Sequence, residues 1–491
     1  MEGLAETIEN VGLAQEIQKG LAPSLQKKPD WAALQPKTDG FKAKYESGKG
    51  WDCFQSSELA KYCITEWANT QGIDISMGRR KSSLAGNEQK TPPTEAGVEA
   101  NWDGFKASPA FEVMCKYMAL GEDVAAQNPT QKMFEEVRPL GRGAFGAVWL
   151  AFKKDTGAPF ATKKMVKCIA KQNKMLKDVL IEREVLAKIR SPFCVNLHYS
   201  FQDDDNIALV LSLMPGGDLA FLLQTRYSEA KKKEDRVFTP LSAQTLKFYA
   251  ASMACGLQAI HDAGYVYRDL KPQNVLLDAE GQVRISDMGL TADISKGPIK
   301  QCSGTRGYWS PETIKKEPYT TQPDWWSLGV TMFVLFSDKM PFSGKGDEEK
   351  DAATCKGEID YKHDEPKDLQ EFISALCTID KSARLGANGG VAQIKAHPYM
   401  KDVDWVKLEA GLVDAEIKPN PNDINAPSRS EVDAFKKPKD VDWTAEDEKA
   451  FDNWNFMNAG LWQEEAIFRI KMKGEIKGMG GGGGGGCCTV S

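Results

Sequence analysis

The sequence is poor in metal-ligand patterns. It has four histidines in 491 residues, none of them in an HExxH arrangement, which argues against a zinc centre. Its 11 cysteines show no CxxC spacing. It lacks a surplus of positive charge: 63 basic against 69 acidic residues give a formal net charge of −6. A nucleic-acid binder needs a basic face, so no nucleic-acid partner is expected. It has no run of about 18 apolar residues, the length a membrane-spanning helix requires. The opening MEGLAETIEN lacks the charged start and apolar core of a secretory signal. Reduced thiols in the cytosol are the corresponding expectation.

What remains is an ordinary globular balance, 41% apolar and 27% charged, with enough chain for two or three domains. Residues 2–18 read as a short helix, with Leu4, Ile8 and Val11 on one side and Glu2, Glu6, Glu9 and Glu16 on the other. Residues 21–133 read as helical and aromatic-rich, with Trp31, Trp51, Trp67 and Trp102. A polar stretch over roughly 78–98 interrupts them and suits an exposed loop. Strand-like runs begin at Phe134 and include AVWLAF (147–152) and IALVLSLM (207–214). Helical periodicity dominates after about residue 241. A β-rich lobe followed by an α-rich lobe is an α+β arrangement, with a ligand cleft expected at the seam. The lysine-rich stretch 225–238 reads as a solvated loop.

Chemistry enters in a fixed order along the chain. Leu140-Gly141-Arg142-Gly143-Ala144-Phe145-Gly146-Ala147-Val148 carries glycines spaced GxGxxG, which let backbone N–H groups approach phosphates. That pattern alone also opens dinucleotide-binding folds. Those need a helix straight after the loop, whereas a strand follows here. Phe160-Ala-Thr-Lys163 puts one lysine on an apolar strand, able to reach the α/β-phosphates. Lys164 beside it reads as a surface lysine on the opposite strand face. An orienting anion is available on the predicted helix 176–189. Glu182 lies 19 residues after Lys163. Glu184 is about 200° further round the helix, so Glu182 is preferred.

Tyr267-Arg-Asp-Leu-Lys-Pro-Gln-Asn274 then matches a phosphotransfer catalytic loop. Asp269 would take or orient the proton of the attacking hydroxyl. Lys271 would neutralise the transferring phosphoryl group, and Asn274 would hold Mg²⁺. Eighteen residues beyond Asp269, Asp287 in Ser-Asp-Met-Gly would chelate Mg²⁺ on ATP. Ser310-Pro-Glu312 stands at the end of the activation segment. Asp324 starts a helix able to brace the catalytic loop, and Arg384 is placed to pair with Glu312. Any one motif could be coincidence, but the ordered set points to an intact ATP-dependent kinase.

Residues 134–400 resemble a protein kinase of the AGC group, and within it the G-protein-coupled receptor kinases. The resemblance rests on YRDLKPQN (267–274), DMG (287–289), KQCSGTRGYWSPE (300–312) and the tail segments LEAGLVDAEIKPNP (408–421) and AFDNWNFMNAGLWQEE (450–465). Gln301 stands where many relatives in the wider group carry an activating threonine, and Asn455 where a tail phosphosite is usual. The resemblance implies a bilobal protein kinase fold with five parts. These are a docking helix (1–20), a helical region resembling a regulator-of-G-protein-signalling (RGS) homology domain (21–133), the kinase domain (134–400), an AGC tail (401–470) and a tether (471–491). It also implies that ATP lies beneath the glycine loop. Asp218 would meet its ribose, Leu211 the back of the adenine pocket, and Met214 would lie near the hinge. Gln273 departs from the group's usual glutamate, which removes an anionic contact for basic substrate residues.

The chain closes on seven glycines and Cys487-Cys488-Thr-Val-Ser491. The last four residues form a CaaX box, and serine at the end favours a farnesyl group on Cys488. One lipid gives marginal affinity. Acylation of Cys487, or the basic residues Arg469, Lys471, Lys473 and Lys477, would supply a second signal. The expected substrate is an activated G-protein-coupled receptor at the cytosolic face of a membrane. Two alternatives are a membrane-anchored AGC kinase acting on soluble substrates, and a scaffold that binds a G-protein α subunit through the N-terminal helices.

Overall fold

The computed structural model describes residues 31–75, 79–80, 93–125, 128–142, 146–232, 241–361, 366–420, 441–458 and 460–476. The expected docking helix, the glycine-loop tip at 143–145 and the two terminal cysteines lie outside the described residues. The chain divides into two compact units. One comprises Glu136–Ala151 and Pro159–Phe456. The other comprises the helical region up to Glu135, the segment Phe152–Ala158 and the chain from Met457.

The helical unit is built from α1 (Gln35–Glu46), α2 (Gly50–Ser56), α3 (Glu58–Thr70), α4 (Glu95–Glu99), α5 (Trp102–Lys106) and α6 (Pro109–Ala125). Ser57 caps α3 by accepting the Ala60 N–H at 2.9 Å. The helix then buries Leu59, Cys63, Ile64 and Trp67, an i, i+4, i+5, i+8 stripe that faces a core. Trp102 and Phe105 each meet Phe111 edge-on within that core, a favoured ring geometry.

The kinase unit begins with strands β1 (Phe134–Arg142), β2 (Gly146–Lys153) and β3 (Pro159–Val166). Helices α7 (Lys167–Gln172) and α8 (Leu176–Lys188) follow, then β4 (Leu197–Gln202) and β5 (Asn206–Ser212). Helices α9 (Leu219–Lys232) and α10 (Ala243–Asp262) open the large lobe. Short strands β6 (Tyr265–Val266), β7 (Val275–Leu277), β8 (Val283–Ile285) and β9 (Ala292–Asp293) line the catalytic segment. Helices α11 (Pro311–Ile314), α12 (Gln322–Ser337), α13 (Asp347–Lys356), α14 (Lys367–Leu376), α15 (Val391–Ala396) and α16 (Trp405–Glu409) complete the lobe. Helix α12 buries apolar residues all round, from Trp325 to Phe336, as a helix in the middle of a core must.

The tail supplies α17 (Ala445–Lys449), β10 (Phe456–Met457) and α18 (Trp462–Lys473). Strand β10 adds to the small-lobe sheet, whose order is β10-β4-β5-β3-β2-β1. The protein is therefore α+β and bilobal, with helices segregated from the sheet.

Two features differ from the sequence reading. The segment expected as tail over 401–470 divides after Phe456, and α18 joins the helical unit. Trp462, Ala466, Ile467 and Ile470 of α18 are buried in that unit's core. Trp462 lies so close to α6 that a Cβ at Gly121 would come within 2.8 Å of its ring. The stretch 225–238 is helical as far as Lys232, since α9 continues through it.

Candidate active site

The strands that flank the glycine loop, β1 and β2, are neighbours in the sheet. A Cβ at Gly146 would meet the Lys164 carbonyl oxygen at 2.0 Å, so β2 can lie against β3 only with glycine there. Lys163 on β3 stands opposite Leu209 of β5. Its Nζ donates to Glu182 Oε1 at 2.6 Å and Oε2 at 2.9 Å. Burial works against the lysine's charge, but Glu182 and then Asp287 outweigh it and hold its pKa above the ordinary value. Burial pushes the Glu182 carboxyl up, and Lys163 opposes that push. The Lys163 ammonium beside Asp287 holds that carboxyl below the usual range. Glu184 faces elsewhere, accepting from Lys188 and from the Tyr265 hydroxyl. Lys164 bonds to Glu136 at 3.0 Å.

These groups border a cavity of about 290 Å³ lined by Gly146, Ala147, Val148, Lys163, Glu182 and Asp287, among others. Leu140 and Gly141 end the strand before the loop. Arg142 closes β1. Leu211 stands opposite Ala161 on β3. Met214 follows β5 and accepts the Gly217 N–H. Asp218 accepts the Phe221 N–H at 2.9 Å and so caps α9.

Asp324 holds the catalytic loop from below. Its carboxylate accepts the backbone N–H groups of Tyr267 at 2.8 Å and Arg268 at 2.7 Å, and meets His261 at 2.7 Å. The Tyr267 hydroxyl donates to the Ser286 carbonyl at 2.5 Å, joining this loop to the segment bearing Asp287. Asp269 sits in a fully partnered cluster. Its Oδ2 accepts from Lys271 Nζ at 2.8 Å and Asn274 Nδ2 at 2.7 Å. Its Oδ1 accepts from the Thr305 hydroxyl at 2.7 Å. Thr305 in turn accepts from Lys271 at 2.6 Å.

Thr305 escaped the sequence reading as part of the site. A threonine in a loop carries no spacing signal, and only the folded activation segment brings it 36 positions back to Asp269. Beyond it, Glu312 and Arg384 form a bidentate pair at 2.5 and 2.9 Å.

The donors suit a hard divalent cation bound with phosphate. Asp287 offers a carboxylate on the cavity. Asn274 commits its Nδ2 to Asp269, so its carbonyl oxygen is the atom able to meet a cation. One carboxylate, one amide oxygen and nucleotide phosphates are the ligand mixture Mg²⁺ sites use.

The tail embraces the small lobe. Trp454 is buried, and its Nε1 donates to the carbonyls of Phe201 at 3.0 Å and Ala208 at 3.3 Å. Phe451 is fully buried under Lys167. Phe456 packs under the Arg183 guanidinium of α8. Of the basic residues expected to assist a lipid anchor, Arg469 is buried and donates to the Asp155 carbonyl. Lys471 lies over the Tyr62 ring. Arg469 is therefore committed to the helical unit's interior.

A β-sheet lobe carrying Lys163, a helical lobe carrying Asp269 and Asn274, and Asp287 facing Lys163 together define a protein kinase. The protein kinase domain family matches residues 134–400, and that domain implies ATP and a divalent metal. Human rhodopsin kinase GRK7 is 34% identical over 425 residues, covering 84% of this chain and 72% of that protein. The Danio rerio rhodopsin kinase grk7a is 33% identical over 375 residues, covering 74% and 65%. The Drosophila melanogaster G protein-coupled receptor kinase 2 is 35% identical over 354 residues, covering 70% and 48%. This chain thus spans slightly under two-thirds of the zebrafish protein and about half of the fly protein. The chain belongs to the G-protein-coupled receptor kinase family.

Proposed function

We propose that the protein is an ATP-dependent serine/threonine protein kinase that phosphorylates activated G-protein-coupled receptors at the cytosolic face of a membrane. The observation that carries the reading is the cluster Asp269–Lys271–Asn274–Thr305, set beside the Lys163–Glu182–Asp287 cluster. Asp269 orients the hydroxyl of the acceptor serine or threonine and takes its proton. Lys271 compensates charge on the transferring group, and Lys163 fixes the phosphates of ATP. Mg²⁺ held by Asn274 and Asp287 would supply charge neutralisation on the β- and γ-phosphates. Such catalysis is mainly positioning and charge stabilisation.

The names of the relatives support a receptor substrate. Neutral residues at Gln301 and Asn455 support activation without phosphorylation of this chain, with receptor docking through residues 1–20 as the trigger. Farnesylation of Cys488, with acylation of Cys487, would keep the enzyme at the membrane.

The test is phosphate transfer to an activated seven-helix receptor in membranes, beside a soluble peptide. The variant Asp269→Asn and a chain lacking residues 1–20 are the controls, and Cys488→Ser reports on anchoring. Strong receptor phosphorylation lost in both controls is the expected result. Equal activity on the peptide, untouched by truncation, would leave a kinase without receptor specialisation. Capture of a G-protein α subunit by the catalytically dead chain would favour the scaffold reading.

A further inference from the structure

Arg268 precedes the catalytic aspartate and holds a left-handed backbone, with φ at 75°. Its guanidinium donates to three neutral oxygens: the Leu290 carbonyl at 2.7 Å, the Thr291 carbonyl at 3.4 Å and Gln301 Oε1 at 3.2 Å. Arginine remains charged under all ordinary conditions, and a half-buried charge whose hydrogen-bond acceptors among the described residues are all neutral is incompletely compensated. Where an activation segment carries a phosphate, that group can supply the missing anion. At Gln301 it cannot.

The structure offers another anion close by. Asp178 lies in the first turn of α8, one helical turn before Glu182, so the two side chains share a face. Asp178, Glu182 and Leu290 all line the cavity beside Asp287. The Leu290 carbonyl is the group that receives Arg268 Nε, so Asp178 and Arg268 approach the same corner from opposite lobes.

We propose that Asp178 is a positioning residue. Its carboxylate is the counter-charge for Arg268, and the pair ties the helix bearing Glu182 to the loop bearing Asp269, in place of an activation-segment phosphate. In electrostatic terms, burial pushes the Asp178 carboxyl up and Arg268 pulls it back. A plainer role is available: an acidic residue in a first helical turn stabilises the helix dipole whatever lies opposite. The two roles differ in what can replace Asp178. A dipole partner must sit on α8. A counter-charge for Arg268 can come from any element that reaches the guanidinium, and residue 301 already does.

The inference rests on the kinase reading, so the test separates them. The full chain is assayed for transfer from ATP to a soluble serine peptide as wild type, Asp178→Asn, Gln301→Glu and the double variant. Thermal unfolding is followed with and without ATP and Mg²⁺. Asp178→Asn should lower kcat about five-fold, the scale of a partly exposed ion pair, with KM for the peptide little changed. The double variant should recover most of that loss, and nucleotide-induced stabilisation should fall and return in parallel. An unchanged Asp178→Asn, or a loss that Gln301→Glu fails to restore, overturns the inference. A wild type that binds ATP but transfers nothing defeats the kinase reading. The nucleotide-induced stabilisation of the four chains still decides the role of Asp178.

Discussion

Glu312→Gln should be among the most damaging single changes in the large lobe, although it removes no volume. The Arg384 side chain has 0% exposure and Glu312 has 2%. Two parallel charge-assisted bonds join them. Arg384 also donates to the carbonyls of Thr378 at 3.0 Å and Gln322 at 2.9 Å, and its guanidinium stacks 5.1 Å from the Trp326 ring. Glutamine leaves a buried cation with neutral acceptors only. Breaking one partner of such a pair costs about 3–5 kcal/mol. For a unit of roughly 300 residues, unfolding with about 2.1 cal/mol/K of entropy per residue, each kcal/mol lowers Tm by about 1.5 °C, so the kinase transition should fall by roughly 5–8 °C in calorimetry of the full chain. The double variant Glu312→Leu with Arg384→Met removes both charges and should recover most of the loss. A single-variant effect below about 1 kcal/mol, or a double variant no better than the single, would refute the reasoning.

Three further outcomes follow from the same geometry. Thr305→Ala should reduce kcat about ten-fold, because Asp269 and Lys271 each lose a fixed partner; Thr305→Ser should keep most activity in the same peptide assay. His198 is buried on β4, its Nε2 3.0 Å from Ser212 Oγ. Burial, aided by Arg284, lowers its pKa to about 3 from 6.5. Above pH 6.5 the ring is neutral whether the chain is folded or not, so it contributes nothing. Below that the unfolded chain takes up a proton that the folded one refuses. Stability should therefore fall by about 1.4 kcal/mol per pH unit between 6.5 and 3; urea titrations at pH 7 and 5.5 should show this slope, flattened in His198→Gln. Finally, Trp462→Ala empties a core site in the helical unit and should destabilise that unit by about 3–5 kcal/mol, seen as a lower calorimetric transition for it.

The residues that the structure brings together around Lys163 and Asp269 were legible because each sits in a short local pattern. The choice of Glu182 over Glu184 needed only the helical period, and the structure sends Glu182 to Lys163 and Glu184 to Lys188. Thr305 and the burial of Arg469 were not legible, because both depend on partners distant in sequence. The same holds for Lys153, Asp155 and Glu465, which carry no local signal that singles them out. In the helical unit, Lys153 is fully buried, 2.6 Å from Asp155 and 3.5 Å from Glu465. Charge pattern along a chain says which residues can be solvated, and only packing says which are not. Helix α18 shows the limit most clearly. Its apolar spacing marks a buried face, but nothing local says that the face completes a core begun near residue 35.

That split core has a consequence for how the protein is made. The helices before Glu135 cannot bury their apolar faces fully until Trp462 and Ile470 have left the ribosome. At about 10 residues per second, the wait is roughly half a minute. During it the kinase unit can finish folding, while the earlier helices remain half-assembled and open to chaperones. A message cut short after Phe456 would encode every kinase motif and still yield a chain whose early helices keep an unsealed hydrophobic face where Trp462, Ala466, Ile467 and Ile470 belong.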